Sequence, residues 1–219
     1  MKAFFEKLLD LMYPPRCPFC RAILKDHERN LCGRCRGALP WTLGAEREQR
    51  FRHLEVCLSP FFYENDVRRS LLRYKFGGVS VYAPKYAALM SECVSKSDAA
   101  FDVITWTPLS RKRLKKRGYD QARLLAEALA ESLQLPCAQL LLKNFDNPPQ
   151  SRTRSAEERR KNVSGAYQAA DPALIKDRRI LLVDDIVTTG ATLSECARVL
   201  RSAGAKSVSA ITLARSRKD

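Results

Sequence analysis

The chain has no Gly-x-Gly-x-x-Gly run and no Gly-Lys-Ser/Thr ending. The dinucleotide fingerprint and the P-loop are therefore both missing. No stretch approaches eighteen consecutive apolar residues, so no membrane-spanning helix is expected. Internal repeats and low-complexity tracts are absent, which removes solenoids and tails. Aromatic residues make up only 8% and are not interleaved with the cationic runs, as a stacking platform for single-stranded nucleic acid would require. Acidic side chains are scarce, 24 against 39 Lys and Arg, leaving a net charge of +15 and a pI near 9.7. That imbalance predicts attraction to polyanions: nucleic acid, a phosphorylated substrate or an anionic membrane surface. Charge alone does not choose among them. An apolar content of 45% over 219 residues is ordinary for a globular protein and leaves room for one sizeable domain plus a small module.

The strongest local pattern is the stretch from Ile180 to Thr192. Ile180-Leu181-Leu182-Val183 is a branched, non-alternating run, as in a strand buried on both faces of a parallel sheet. Asp184 and Asp185 follow, where such a strand is expected to end, and open α/β sheets bind ligands at that edge. Successive strand side chains point to opposite faces. Both acids can thus serve one ligand only if the strand ends or twists between them. Thr188-Thr189-Gly190-Ala191-Thr192 is a turn of small and hydroxyl residues leading into helical spacing at Leu193, Cys196, Ala197 and Leu200. A helix start of this kind offers backbone N–H groups and the positive dipole end to an anion. Thr192 and Glu195 also have the spacing of a capping box, so Thr192 is expected to serve the helix as well.

Four of the eight cysteines form two Cys-x-x-Cys pairs, Cys17/Cys20 and Cys32/Cys35, with eleven residues between the pairs. Two residues between thiolates let both sulfurs reach one tetrahedral ion. Disulfides compete as a reading but are rare in a cytosolic chain. A redox role is open to one pair, whereas two such pairs favour structural zinc. Cys57, Cys93, Cys137 and Cys196 lie among apolar neighbours and read as small core residues. The first twelve residues are apolar at 4, 5, 8, 9, 11 and 12 but interrupted by Glu6, Lys7 and Asp10. They read as a short amphipathic helix rather than a signal core, and the protein as cytoplasmic.

Between these landmarks Gly37 to Arg52 reads as a connector. Cys57–Tyr63 reads as a strand with an edge or bulge at Pro60. Helices are expected over Val67–Phe76, Pro84–Val94 and Gln121–Leu133, the last burying Leu124, Leu125, Ala128, Leu129 and Ser132. Further strands are expected at Phe101–Leu109, Cys137–Leu142, Gly165–Ala170 and Ser207–Leu213. Alternating strands and helices argue for an α/β fold with a parallel sheet. Six of the seven residues 111 to 117 are basic. This cluster follows a strand at the same sheet edge as the acid pair and precedes a helix start, so it suits a polyanion. The polar stretch Asn144 to Asn162, with Arg152, Arg154, Arg159, Arg160 and Lys161, is long enough to be a lid.

Val183-Asp-Asp-Ile-Val-Thr-Thr-Gly-Ala-Thr192 resembles the 5-phosphoribosyl 1-pyrophosphate (PRPP) signature of type I phosphoribosyltransferases. Together with both Cys-x-x-Cys pairs, Tyr74-Lys-Phe-Gly-Gly78, Thr107 to Ala122 and Gln150 to Tyr167, it makes the chain resemble the ComF family. Those are competence-associated, phosphoribosyltransferase-like proteins with an N-terminal zinc finger. Trp106-Thr107-Pro108 stands where the family usually has Pro-Val-Pro, and Tyr119-Asp120 where it usually has Phe-Asn.

The resemblance implies a type I phosphoribosyltransferase-like parallel sheet flanked by helices (53–219) behind a small zinc-binding module (1–52). It implies that Asp184 and Asp185 hold the ribose hydroxyls and that Thr188, Thr189, Gly190, Ala191 and Thr192 hold the 5′-phosphate. Pyrophosphate would lie against Leu109, Ser110, Arg111, Arg113 and Arg117, bridged to the ribose by Mg²⁺. Arg152, Arg154 and Arg160 would belong to a flexible loop over the site. Two functions stay open. One is a phosphoribosyl transferase that releases pyrophosphate to an unidentified acceptor. The other is a non-catalytic accessory protein of natural transformation that binds PRPP or single-stranded DNA and works with the DNA-uptake machinery.

Overall fold

The computed structural model describes residues 14–144 and 163–217. The expected N-terminal helix and most of the Asn144–Asn162 stretch, including Arg152, Arg154 and Arg160, lie outside the described residues. In chain order the main elements are α1 (Gly33–Ala38), β1 (Glu48–Gln49), β2 (Cys57–Leu58), β3 (Phe61–Phe62), α2 (Asn65–Phe76), α3 (Ala83–Val94), β4 (Val103–Trp106), α4 (Arg111–Arg117), α5 (Gln121–Leu133), β5 (Leu141–Lys143), β6 (Tyr167–Ala169), β7 (Arg179–Val187), α6 (Ala191–Ser202) and β8 (Ser207–Arg215).

The central sheet runs β1-β2-β8-β7-β4, with β3 also on β8. All its pairings are parallel except β1 with β2. β7 and β8 are central and buried on both faces, which is why the apolar run of β7 does not alternate. Leu181, Val183, Ile211 and Leu213 face one core with α2, α3 and α5. Ile180, Leu182, Val208 and Ala210 face a second core with Leu193, Cys196, Ala197 and Leu200 of α6. The chain is thus an α/β sheet covered by helices on both sides.

Several elements differ from the sequence reading, each for a local reason. Pro60 splits the expected strand into β2 and β3, yet Leu58 pairs with Ile211 and Phe61 with Ala214, so no register is lost. Proline has no N–H, and two ladder positions, at Ser59 and Pro60, are skipped without a bulge. β5 and β6 leave the parallel sheet and pair antiparallel with each other; only a bridge from Ile104 to Cys137 reaches the edge of β4. α5 turns Gln121, Ala122, Leu125, Ala126, Leu129 and Ala130 inward, a face rotated from the expected one. Small alanines there let α5 approach α3, which it packs against. Part of the expected connector becomes β1.

The cysteine knuckles share the sheet's core. Phe19, between Cys17 and Cys20, is 1% exposed and meets Phe61 and Tyr86 edge-on, with ring centroids 5.3 and 5.8 Å away. The Pro18 and Phe19 carbonyls accept hydrogen bonds from Arg73 of α2 at 3.0 and 2.7 Å. Ser70 also donates to the Pro18 carbonyl.

Truncating Phe19→Ala should cost about 3–4 kcal/mol, the range for an aromatic removed from a packed core. Tryptophan fluorescence and far-UV circular dichroism should follow one denaturant curve, with Trp41 near the knuckle and Trp106 in the sheet. Two separated transitions would show that the knuckle is not part of the core.

Candidate functional site

β4 stops at Trp106, which pairs with Val183, and Thr107 N–H donates to the Val183 carbonyl at 3.0 Å. Pro108 follows and has no N–H to carry the ladder further. β7 nevertheless continues to Val187, with only β8 beside its last residues. The acid pair therefore lies inside the strand and not at its end, at the point where one neighbour has dropped away.

The strand's alternation changes phase there. Leu181 and Val183 belong to the helix α2/α3/α5 side and Ile186 packs on that same side; Ile180, Leu182 and Val187 belong to the α6 side. Asp184 pairs with Thr212 and Ile186 with Ala214, while Asp185 has no partner in the ladder. Its N–H is taken instead by the Asp184 carboxylate at 2.8 Å. Asp184 lies toward α6 and Asp185 toward Lys75 of α2, so the acids alternate across the sheet and the phase changes only after them, at Ile186.

The two carboxylates have different surroundings. Asp184 lines a narrow cleft of about 30 Å³, together with Ile186, Val187 and the turn from Thr188 to Leu193. Burial pushes its carboxyl up to about 7, and the neighbouring Asp185 charge adds to the rise; Lys75, the Asp185 N–H and the Thr107 hydroxyl oppose it. Asp185 is 7% exposed, is not among the residues lining that cleft, and meets Lys75 Nζ at 2.9 Å.

Thr188 to Gly190 form a bend, and α6 begins at Ala191 with Gly190 as its cap residue at φ 72°. The first backbone N–H groups of a helix have no partner within it, and here they face the cleft that Asp184 lines. A side chain at Gly190 would be strained by the positive φ and would collide with the Phe51 ring, 2.2 Å from an added Cβ. The expected capping box does not form. Glu195 accepts from Gly165 N–H at 2.8 Å and from Arg198, because the helix starts one residue before Thr192.

The basic cluster is a two-turn helix, α4, rather than an open loop. Ser110 caps it, accepting from Arg113 N–H, and Gly118 ends it at φ 82°. Arg111, Lys112, Lys115 and Lys116 are exposed, whereas Arg113 and Arg117 are half-buried. Arg117 donates to Gln121 Oε1 at 2.8 Å and lies over the Phe76 ring. Leu109 is anchored by its N–H to the Asp120 carboxylate at 3.0 Å, which also caps α5. Burial raises the Asp120 carboxyl, against its backbone N–H donors.

The four cysteines Cys17, Cys20, Cys32 and Cys35 bring their sulfurs within 4.8 Å of one another, and none is in a disulfide. Four convergent thiol ligands suit a tetrahedral zinc ion in a closed structural site. Cys57, Cys93 and Cys196 are buried in the core. The sequence reading gave no role at the site to three residues: Lys75 and Thr107 at the acid pair and Phe51 at the turn. Lys75 carried a signal within the Tyr74–Gly78 family match and Thr107 as a departure from the family pattern, its hydroxyl bonding Asp184; Phe51 carried none.

Residues 120–219 match the phosphoribosyl transferase domain family, and residues 8–47 match the double zinc ribbon domain family. The chain is similar to competence protein F of Haemophilus influenzae, 28% identical across 92% of this chain and 85% of that protein. It is similar to competence protein ComFC of Bacillus subtilis, 32% identical across 91% of this chain and 84% of that protein. A DNA utilization protein of Escherichia coli O157:H7 is 33% identical across 52% of this chain and 49% of its own length. Among the described residues no helix is long and apolar enough to cross a membrane.

The raised Asp184 carboxyl fixes a sign. Between its ordinary value of 3.8 and about 7, the folded protein keeps a proton that the unfolded chain releases. This group's contribution to stability therefore falls as pH rises through that window and is lowest above it. Asp184→Asn removes the buried charge and should raise unfolding stability by on the order of 1–3 kcal/mol at pH 8, with less gain at pH 5. Thermal melts at the two pH values check this; an equal or negative effect at pH 8 would refute the assigned cause.

Proposed function

The chain belongs to the family of competence protein F and ComFC, and on that basis we propose that it binds PRPP with Mg²⁺ at the carboxyl end of β7. The observation that carries this reading is the shared cleft of Asp184 and the Thr188 to Thr192 turn. It sets a carboxylate for sugar hydroxyls beside a helix N-terminus for a phosphate. The acid pair serves the ribose 2′- and 3′-hydroxyls, and the turn serves the 5′-phosphate.

The segment from Leu109 through Ser110, Arg111, Arg113 and Arg117 serves the pyrophosphate, and Arg152, Arg154 and Arg160, outside the described residues, are assigned to the same ligand. Carboxylate and phosphate oxygens are the donors Mg²⁺ prefers, and bound there it would neutralise charge on the pyrophosphate. The reaction we assign is phosphoribosyl transfer. The C1–oxygen bond of PRPP breaks with its electron pair leaving on pyrophosphate, and an acceptor nitrogen bonds to C1 of the ribose. Positive side chains near the leaving group lower that barrier because they meet charge that develops in the transition state. We assign structural zinc to Cys17, Cys20, Cys32 and Cys35, and cytoplasmic action in DNA uptake.

A second reading is favoured by α4. Arg111, Lys112, Lys115 and Lys116 are exposed on this helix, and Arg117 at its end lies over the Phe76 ring, which is 69% exposed. A run of exposed cations with an accessible aromatic ring suits the backbone and bases of single-stranded DNA. An accessory protein of transformation would use both surfaces.

Titration calorimetry should find Mg²⁺-dependent PRPP binding that tightens as pH rises toward 7 and levels off above it, because the ligand displaces the Asp184 proton. The Asp184→Asn/Asp185→Asn double variant should lose at least tenfold in affinity. Absence of PRPP binding by the wild type would remove this function. For the second reading, replacing Lys112, Lys115 and Lys116 with Gln should weaken single-stranded DNA binding and flatten its salt dependence; unchanged binding would exclude α4 as the contact.

A further inference from the structure

The ion pair between Lys75 and Asp185 is poorly explained by stability. Its two side chains are only 19% and 10% exposed, and a buried pair is commonly no better than well-packed apolar residues of the same volume. This pair stands directly beside Asp184, which lines the cleft. Lys75 occupies the last turn of α2, which is held from several directions. Tyr74 is fully buried and its hydroxyl donates to the Gln121 carbonyl at 3.1 Å. Tyr119 donates its hydroxyl proton to the Tyr74 carbonyl, and the Arg117 guanidinium lies 5.1 Å from the Phe76 ring centroid. Helix α2 then ends at Gly77, where an added Cβ would stand 2.8 Å from the Arg73 carbonyl oxygen. Lys75 is therefore set at a defined place between the acid pair and the Leu109 to Gln121 segment.

We propose that Lys75 is a ligand-binding residue of this site, and that its ammonium meets the pyrophosphate end of the ligand. The inference rests on the PRPP reading above and adds a residue outside both the acid–turn motif and the basic helix. With Asp185 engaging the ribose hydroxyls, a cation 2.9 Å from its Oδ2 lies one group away from the sugar carbon that carries pyrophosphate. It sits on the side of the Leu109 to Arg117 segment. The acids then divide the work. Asp184 faces the cleft and the 5′-phosphate turn, while Asp185 holds Lys75 toward the leaving group. An ammonium so placed supplies a charge-assisted contact to a phosphate oxygen without giving up its carboxylate.

The test compares PRPP with ribose 5-phosphate, which keeps the 5′-phosphate and the diol but has no pyrophosphate. Lys75→Met should weaken PRPP binding about 10- to 100-fold and change ribose 5-phosphate binding less than about threefold. Lys75→Arg should recover most of the loss. Equal losses for both ligands would mean that Lys75 only supports Asp185, and no loss for either would mean that it is not in the site; each overturns the proposal. Should Lys75→Met fail to fold, as judged by its melting curve, Lys75→Gln gives the same comparison. Wild-type protein that binds neither ligand would sink the PRPP reading itself, a result distinct from any pattern among the variants.

Discussion

Two adjacent carboxylates on a central parallel strand meet two constraints together. Strand geometry sends them to opposite faces, and burial makes it costly for both to be charged. The structure keeps the acids on opposite faces and answers the second constraint within a few residues. Asp184 takes the N–H of Asp185, and the alternation of β7 changes phase only after the pair. Lys75 then balances one carboxylate, while burial leaves the other with a raised affinity for its proton. β4 has already stopped, so the last residues of β7 pair only with β8.

The surrounding architecture keeps this arrangement in place. Helix α2 carries Lys75 at one end and, two residues earlier, Arg73 bound to the carbonyls of Pro18 and Phe19 in the first cysteine knuckle. The knuckle is joined to the same core through Phe19. The zinc module and the acid pair therefore share one helix and one hydrophobic cluster. That contact gives the cysteine knuckles a structural role toward the sheet. On the other flank, Asp120 ties Leu109 to the start of α5, and a buried carboxylate is used where a neutral cap would have sufficed for the helix alone.

Much of this fold was legible because its causes are local. β7 announces itself by the unbroken apolar run Ile180 to Val183, and α6 by Leu193, Cys196, Ala197 and Leu200, all of which are buried. The cysteine pairs converge as their spacing implies. Misreadings occurred where packing overrode the local signal. The extent of β7 was missed because Asp184 and Asp185 resemble a strand end. The face of α5 was missed because alanines became valuable only once α3 lay against them. Glu195 was read as a cap because its spacing to Thr192 is right, but Gly165 offers its N–H from elsewhere in the chain.

By itself, then, the sequence determined what depends on near neighbours along the chain: the strand–turn–helix around the acid pair, the tetrahedral cysteine set, the strong positive charge and the family. Only the tertiary structure decided which acid faces the cleft and which faces Lys75. It likewise decided that Phe51 covers Gly190 and that the basic run is a capped helix packed on Phe76. Those outcomes join residues far apart in the chain, and their energies come from burial and charge compensation. Neither has a period or a spacing that a linear reading can detect.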